Sequence, residues 1–264
     1  MLVYLRVAWL SCRRYATYRA ATIAGAFTNT IFGFIRAYVL LAVWHARPHL
    51  GGYDATDAVT YCFLGQSLIM VLAIFGGELD LAERVRTGAI GIDLYRPVDF
   101  QTWWYAGDLG RGSYQMLVRG LPPFVAGALV FKLRLPQSPT LWLAFVVAVI
   151  LALSVSFAMR YLVAMSTFWI VDNRGLETLA GVAALFFSGM LLPLVMFPGW
   201  LEPTARALPW AAMVQVPADV FLGKHSGIGL ATALASQAVW AVALLLIGRA
   251  VTQLASRRLA ISGG

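Results

Sequence analysis

Charge is what this sequence has least of. Only 12% of its 264 residues are Asp, Glu, Lys or Arg, against 60% hydrophobic, whereas a water-soluble domain is about one quarter charged. That scarcity excludes an ordinary soluble domain and implies a polytopic membrane protein. Cysteine and histidine are scarcer still. Cys12 and Cys62 stand far apart, which leaves no disulfide framework and no paired-cysteine metal site. His45, His49 and His225 form no ligand cluster, and Pro48 keeps the first two off a common helix face, so no metal is expected. GxxxxGK[ST] is missing, and with it nucleotide binding by that route. GxSxG, HExxH and CxxC are missing too, so neither a catalytic residue nor a cofactor site is expected on this chain. Among the few acids, only Asp57 and Glu177 touch an apolar run, both at its edge. A proton relay or sodium site needs a carboxylate at depth, so an ion-driven carrier is disfavoured.

What is present is a series of apolar runs punctuated by arginine. The net charge of +8 would suit nucleic acid, but the basic residues flank the runs instead of interleaving with exposed aromatics. That is a topology signal and argues against a nucleic-acid partner. The runs predict an all-α fold, one membrane domain over 1–264 with six spans near 21–44, 58–77, 115–131, 140–161, 178–197 and 228–247. Residues 1–20 mix Arg6, Arg13, Arg14 and Arg19 with Leu2, Tyr4, Leu5, Val7, Trp9 and Leu10. They read as an amphipathic interfacial helix and equally as a plain basic anchor. No small-residue cleavage site follows, so the N-terminus is expected to be retained. With both termini inside, only Arg47, Lys132, Arg134, Arg206 and Lys224 of the 20 basic residues fall in outer segments. This asymmetry predicts a multi-pass protein of the inner (plasma) membrane with cytoplasmic termini. Pro122-Pro123 predict a break or kink in the third span. Arg36 lies within the first span, where snorkelling or an internal salt bridge is weighed above direct substrate contact.

Two stretches resist reading as spans. The segment from Glu78 to Phe100 carries Glu78, Asp80, Glu83, Arg84 and Arg86, then Gly88, then Arg96-Pro97. Charge that dense belongs in water. It predicts a short surface helix, a break at Gly88, a second helical turn and a stop at Pro97. Taken alone it fits a contact for a soluble partner and a solvated face alike. The other stretch, 197–224, holds Pro198, Trp200, Pro203, Pro209, Trp210 and Pro217. It is too apolar for a free loop and too rich in proline for a span, and it predicts short helices dipping into the outer leaflet.

Together these features resemble the membrane subunits of ABC-2 type exporters. The residues that carry the resemblance are Gly88 to Phe100 (GAIGIDLYRPVDF) with its Arg-Pro pair, the six-span layout, and the proline-rich connection PGWLEPTARALPWAAMVQVPADVFLGK. The resemblance implies a permease paired with a second copy or a similar permease, with a cytosolic ABC ATPase dimer below holding ATP and Mg. It implies that residues 78–96 form the coupling helix, with Glu83, Arg84 and Arg86 as polar contacts. The amphipathic N-terminal helix becomes a second contact, and the broken helices between spans five and six close the outer end. Gly91 and Ile92 stand where more polar residues are expected. The apolar spans suit a hydrophobic small molecule or peptide as cargo, with membrane lipids around them. A stand-alone carrier or channel is the alternative.

Overall fold

The computed structural model describes residues 1–74, 79–170 and 172–262. Among them the secondary structure is helical, without strands. The first helix, α1 (Leu2–Tyr15), turns Tyr4, Val7, Ala8, Ser11, Cys12 and Tyr15 inward at helical spacing. It leaves Leu2, Leu5, Trp9 and Leu10 exposed. Arg6, Arg13 and Arg14 are exposed alongside these apolar residues, so the separation of a basic from an aromatic side expected of residues 1–20 is not seen. Then α2 (Arg19–Ala46) runs for 28 residues, about 42 Å at 1.5 Å per residue, enough for a hydrocarbon core of about 30 Å.

At the centre lies α3 (Ala55–Leu68). A capping box starts it: Asp54 accepts from the Asp57 N–H at 2.7 Å, and the Asp57 carboxylate accepts from the Asp54 N–H at 3.0 Å. Every residue from Asp57 to Leu68 is buried, so α3 is surrounded by protein, with α2, α7 and α11 against it. The reading of a continuous second span over 58–77 needs correction. After Leu68 the chain passes into turns up to Ile74, and 75–78 lie outside the described residues. The carbonyls that continuing helix would use are taken by side chains. Arg111 donates to Met70 O at 2.7 Å and Val71 O at 2.8 Å, and the Ser156 hydroxyl donates to Leu72 O.

Two short helices follow, α4 (Leu81–Arg86) and α5 (Ile90–Leu94), and then α6 (Phe100–Gln115). A π turn over Met116–Gly120 joins α6 to α7 (Leu121–Val130). The expected irregularity at Pro122-Pro123 thus takes the form of a widened turn just before the prolines. Neither proline has an N–H to donate, and their rings crowd the carbonyls one turn back.

The remainder comprises α8 (Pro139–Met165), α9 (Arg174–Phe187), α10 (Leu201–Ala207), α11 (Gln215–Phe221) and α12 (Gly227–Ser262). Among the described residues three helical stretches are long and apolar enough to cross a membrane: Arg19–Ala46, Pro139–Phe168 and Gly227–Arg257. The fifth expected span, 178–197, is only partly helical. It stops at Phe187, turns through Gly189 at φ +86°, and continues as an irregular segment with a single 3-10 turn, Leu194–Met196. The core joins α2, α3, α8, α11 and α12. Across it, Gln237 of α12 donates to Ala212 O at 2.7 Å and Ala148 O at 3.2 Å.

Candidate coupling site

The charged segment of the sequence folds at one end of the bundle, next to α1. Leu81, Ala82 and Ile90 are buried against Phe157, Tyr161, Ala164 and Met165 of α8 and Ala255 of α12. The break between α4 and α5 falls where it is expected, with Gly88 at φ +73°, a conformation that glycine adopts without strain. The chain leaves α5 at Leu94, passes the exposed Pro97, and re-enters helix at Phe100, where the Asp99 carboxylate caps Thr102 N–H at 2.8 Å.

One residue that sequence reasoning passed over holds this segment closed. Asp93 is buried and accepts two bonds from Arg84, one of them at 2.9 Å, and it pairs with Arg96 at 3.0 Å. The Arg96 guanidinium also lies over the Trp103 ring, 4.7 Å from its centroid. Arg84 and Arg96 therefore turn inward as staples. Arg86 pairs with Glu83 at 3.0 Å on the outer face, and Asp80 reaches Arg14 of α1 at 3.1 Å. Glu78 lies outside the described residues. Two large apolar side chains are presented outward beside the exposed Glu83: Tyr95 is 91% exposed and Ile92 67%. The signal for Asp93 was its spacing, three residues before Arg96, which stands just past the end of α5. The signal for Ile92 and Tyr95 was the interruption of polarity already visible at 91–92.

The α1 helix is fixed to the same site at both ends. Asp99 N–H donates to the Tyr4 hydroxyl at 3.0 Å, and Arg14 holds Asp80. Between these points Gly110 of α6 meets the α1 backbone so closely that a Cβ there would lie 1.9 Å from Ala8 O. Behind α1, Asp108 is buried between Arg111 (2.7 Å) and Arg160 (2.6 Å). Burial opposes its ionisation, but Arg160 and Arg111 hold it below the usual carboxylate range. Asp108 and Asp219 lie outside the predicted spans. Both are buried, and both are paired with guanidinium groups.

The predicted outer residues scatter over a second, separate region. Pro209 and Pro217 are buried and Trp210 is half-buried, its ring 5.6 Å from Phe187, while Pro198, Trp200 and Pro203 are exposed. What joins the short helices here is Asp219. It accepts from the Tyr53 hydroxyl, from Gln215 at 3.0 Å and from Arg206 at 3.0 Å. Burial, with Asp219 alongside, pushes the Tyr53 phenol well above the ordinary tyrosine range. Lys224 and Arg134 converge on Asp57 nearby.

Arg36 reaches this region from the first span, and among the described residues it is met by backbone carbonyls, with no carboxylate paired to it. Its guanidinium donates to Met190 O and to Leu191 O at 3.1 Å, the carbonyls just past the end of α9. The Tyr61 hydroxyl lies 2.8 Å from Gly189 O, and Gln215 accepts from Leu194 N–H at 2.9 Å. The interrupted backbone is satisfied from three directions, the condition under which irregular chain persists at membrane depth.

The family model described as ABC-2 family transporter protein matches residues 27–263. No curated protein matches the chain.

Proposed function

The chain belongs to the ABC-2 family transporter proteins, membrane components of transporters. From that premise we propose that it is the permease subunit of an exporter driven by a separate ATPase, with residues 80–97 as the coupling element. The observation that carries this reading is the clamp on Asp93. Arg84 and Arg96 close α4 and α5 into one unit, Leu81, Ala82 and Ile90 seat that unit on α8 and α12, and Ile92 and Tyr95 are left facing outward. A rigid knob attached to two long helices transmits a push from a partner, because it cannot move without them. Apolar side chains on a short helix supply the anchors of groove docking, and the Glu83–Arg86 rim supplies register.

In this reading ATP and Mg sit on a cytosolic ATPase dimer. A second copy of the chain, or a similar permease, completes the path, with both termini of each subunit on the ATPase side of the plasma membrane. Arg36 and the proline-broken helices, tied together through Asp219, gate the outer end. A mainly apolar cavity of about 970 Å³ between α9, α8 and Trp210 supports a hydrophobic small molecule or peptide as cargo. Asp108 and Asp219 argue against a proton-driven carrier, because each has its charge matched by guanidinium groups.

The test is purification of the tagged protein in mild detergent from its native membrane, followed by mass spectrometry. The expected result is an ATP-binding subunit in near-equal amount, lost from the variant carrying Ile92→Asp and Tyr95→Asp, whose exposed positions leave the fold intact. Capture of the ATPase unchanged by these substitutions would remove the coupling role from 80–97. A complex-preserving preparation with no ATPase would favour the stand-alone carrier.

A further inference from the structure

Arg119 stands in the π turn Met116–Gly120, which joins α6 to α7 and packs against α2. Its Nε is buried without a hydrogen-bond partner, and among the described residues no carboxylate pairs with its guanidinium. Gly25 of α2 makes the seat for that guanidinium: a Cβ there would lie 1.7 Å from Nη2. Four residues on, and so on the same face of α2, Asn29 has its amide Nδ2 buried and equally without an acceptor. Two buried donors therefore border one notch between α2 and the π turn. Buried donors normally meet water or a ligand acceptor, and a charge beside hydrocarbon calls for a counter-ion.

The depth of the notch indicates which counter-ion. Gly25 lies six residues into α2 from Arg19, about 9 Å along the axis at about 1.5 Å per residue. Because α2 outruns a hydrocarbon core of about 30 Å at both ends, the notch falls close to the boundary between acyl chains and headgroups. Ile23 and Phe27 on α2, and Leu117 and Leu121 beside Arg119, are exposed around it, as side chains in contact with acyl chains are. We propose that this notch binds the phosphate of an anionic phospholipid from the leaflet at the N-terminal end of α2. Arg119 is the charged ligand and Asn29 the second donor. A guanidinium matches phosphate oxygens in a planar, two-pronged geometry, and the acyl chains lie along the exposed apolar residues. The bound lipid ties the joint between α6 and α7 to the first long helix, at the turn where the regular helix widens. This inference needs the membrane setting but not the ATPase.

The experiment is native mass spectrometry of the purified full chain in neutral detergent, with phosphatidylglycerol or phosphatidylcholine added. Thermal unfolding is measured on the same samples. The expected result is one phosphatidylglycerol retained per chain under activation that strips phosphatidylcholine, with a rise of several degrees in Tm. Both effects are lost in Arg119→Gln, weakened in Asn29→Leu and partly kept in Arg119→Lys, which preserves the charge but not the fork. They persist in Arg13→Gln, which removes an exposed α1 charge and so controls for general attraction to anionic lipid. Gly25→Ala keeps the arginine but crowds its guanidinium out of the seat, and is expected to lower retention as well. Equal retention of the two lipids by wild type overturns the proposal, as does phosphatidylglycerol retention unchanged in Arg119→Gln and Gly25→Ala. A wild-type dimer that Arg119→Gln breaks without altering lipid retention overturns it too, because the guanidinium then answers a carboxylate of a second copy. No ATPase is present, so any of these failures leaves the partner-capture result standing.

Discussion

At the scale of single residues, this protein uses arginine to repair broken helices. Arg36 takes the carbonyls of Met190 and Leu191 where α9 stops, and Arg111 takes those of Met70 and Val71 where α3 unwinds. A guanidinium offers five donors in a fixed plane, so one side chain satisfies two adjacent carbonyls that would otherwise be desolvated. Removing such a donor leaves the acceptor with the full cost of burial, about 1–3 kcal/mol per group. Arg36→Leu is therefore expected to destabilise the protein by about 2 kcal/mol, read as a fall of several degrees in thermal unfolding in detergent, with Arg36→Lys intermediate. An unchanged Tm in Arg36→Leu would mean that the break after α9 is satisfied without this residue. The presence of a costly charge at position 36 was legible in the sequence. Its partner was not, because Met190 lies 154 residues away and is met through its backbone, which carries no residue-specific pattern.

At the scale of elements, the charged segment is held internally and exposed selectively. Its break at Gly88 and its stop near Pro97 could be read directly, since glycine and proline act on the backbone where they stand. Its inner fastening could not, because Asp93 matters only once Arg84, on a different helix, folds back over it. The two kinds of contact separate experimentally. Glu83→Gln disrupts a solvent-exposed pair and is expected to change stability by no more than about 0.5 kcal/mol. Asp93→Asn leaves two guanidinium groups without their shared carboxylate. In an assembled complex it is expected to lower ATP-driven transport several-fold while the ATPase is still captured, because the outward Ile92 and Tyr95 remain. Equal transport by Asp93→Asn and wild type would show that the clamp is not needed for force transmission.

At the scale of the whole molecule, the two polar regions lie at separate places on the bundle, one built on α1, α4, α5 and α6, the other on the outer short helices and Asp219. The six-span reading sets them on opposite sides of the membrane, and labelling can check it. In a Cys12→Ser background, with Cys62 left because it is buried, Thr87→Cys is expected to react with a membrane-impermeant maleimide only after permeabilisation. Thr204→Cys is expected to react in intact cells. Both threonines are exposed, so access depends on the side of the membrane. Labelling of both positions from the outside would overturn the topology.

What the sequence determined by itself was the solvent and the class of architecture. An apolar composition with arginines flanking the runs dictates membrane helices, since burying charge in hydrocarbon costs more than any local preference returns. Gly88, the Pro122-Pro123 pair and the proline-rich stretch marked the places where regular helix would fail. Only the tertiary structure decided how those failures are compensated and which charges turn inward. Both depend on side chains meeting across the bundle: Arg36 with the end of α9, Arg111 with the end of α3, Asp93 with Arg84 and Arg96, and Asp219 with Tyr53 and Arg206. Apart from the three-residue spacing of Asp93 and Arg96, these pairings form only when distant elements pack together, and one-dimensional spacing holds no record of them.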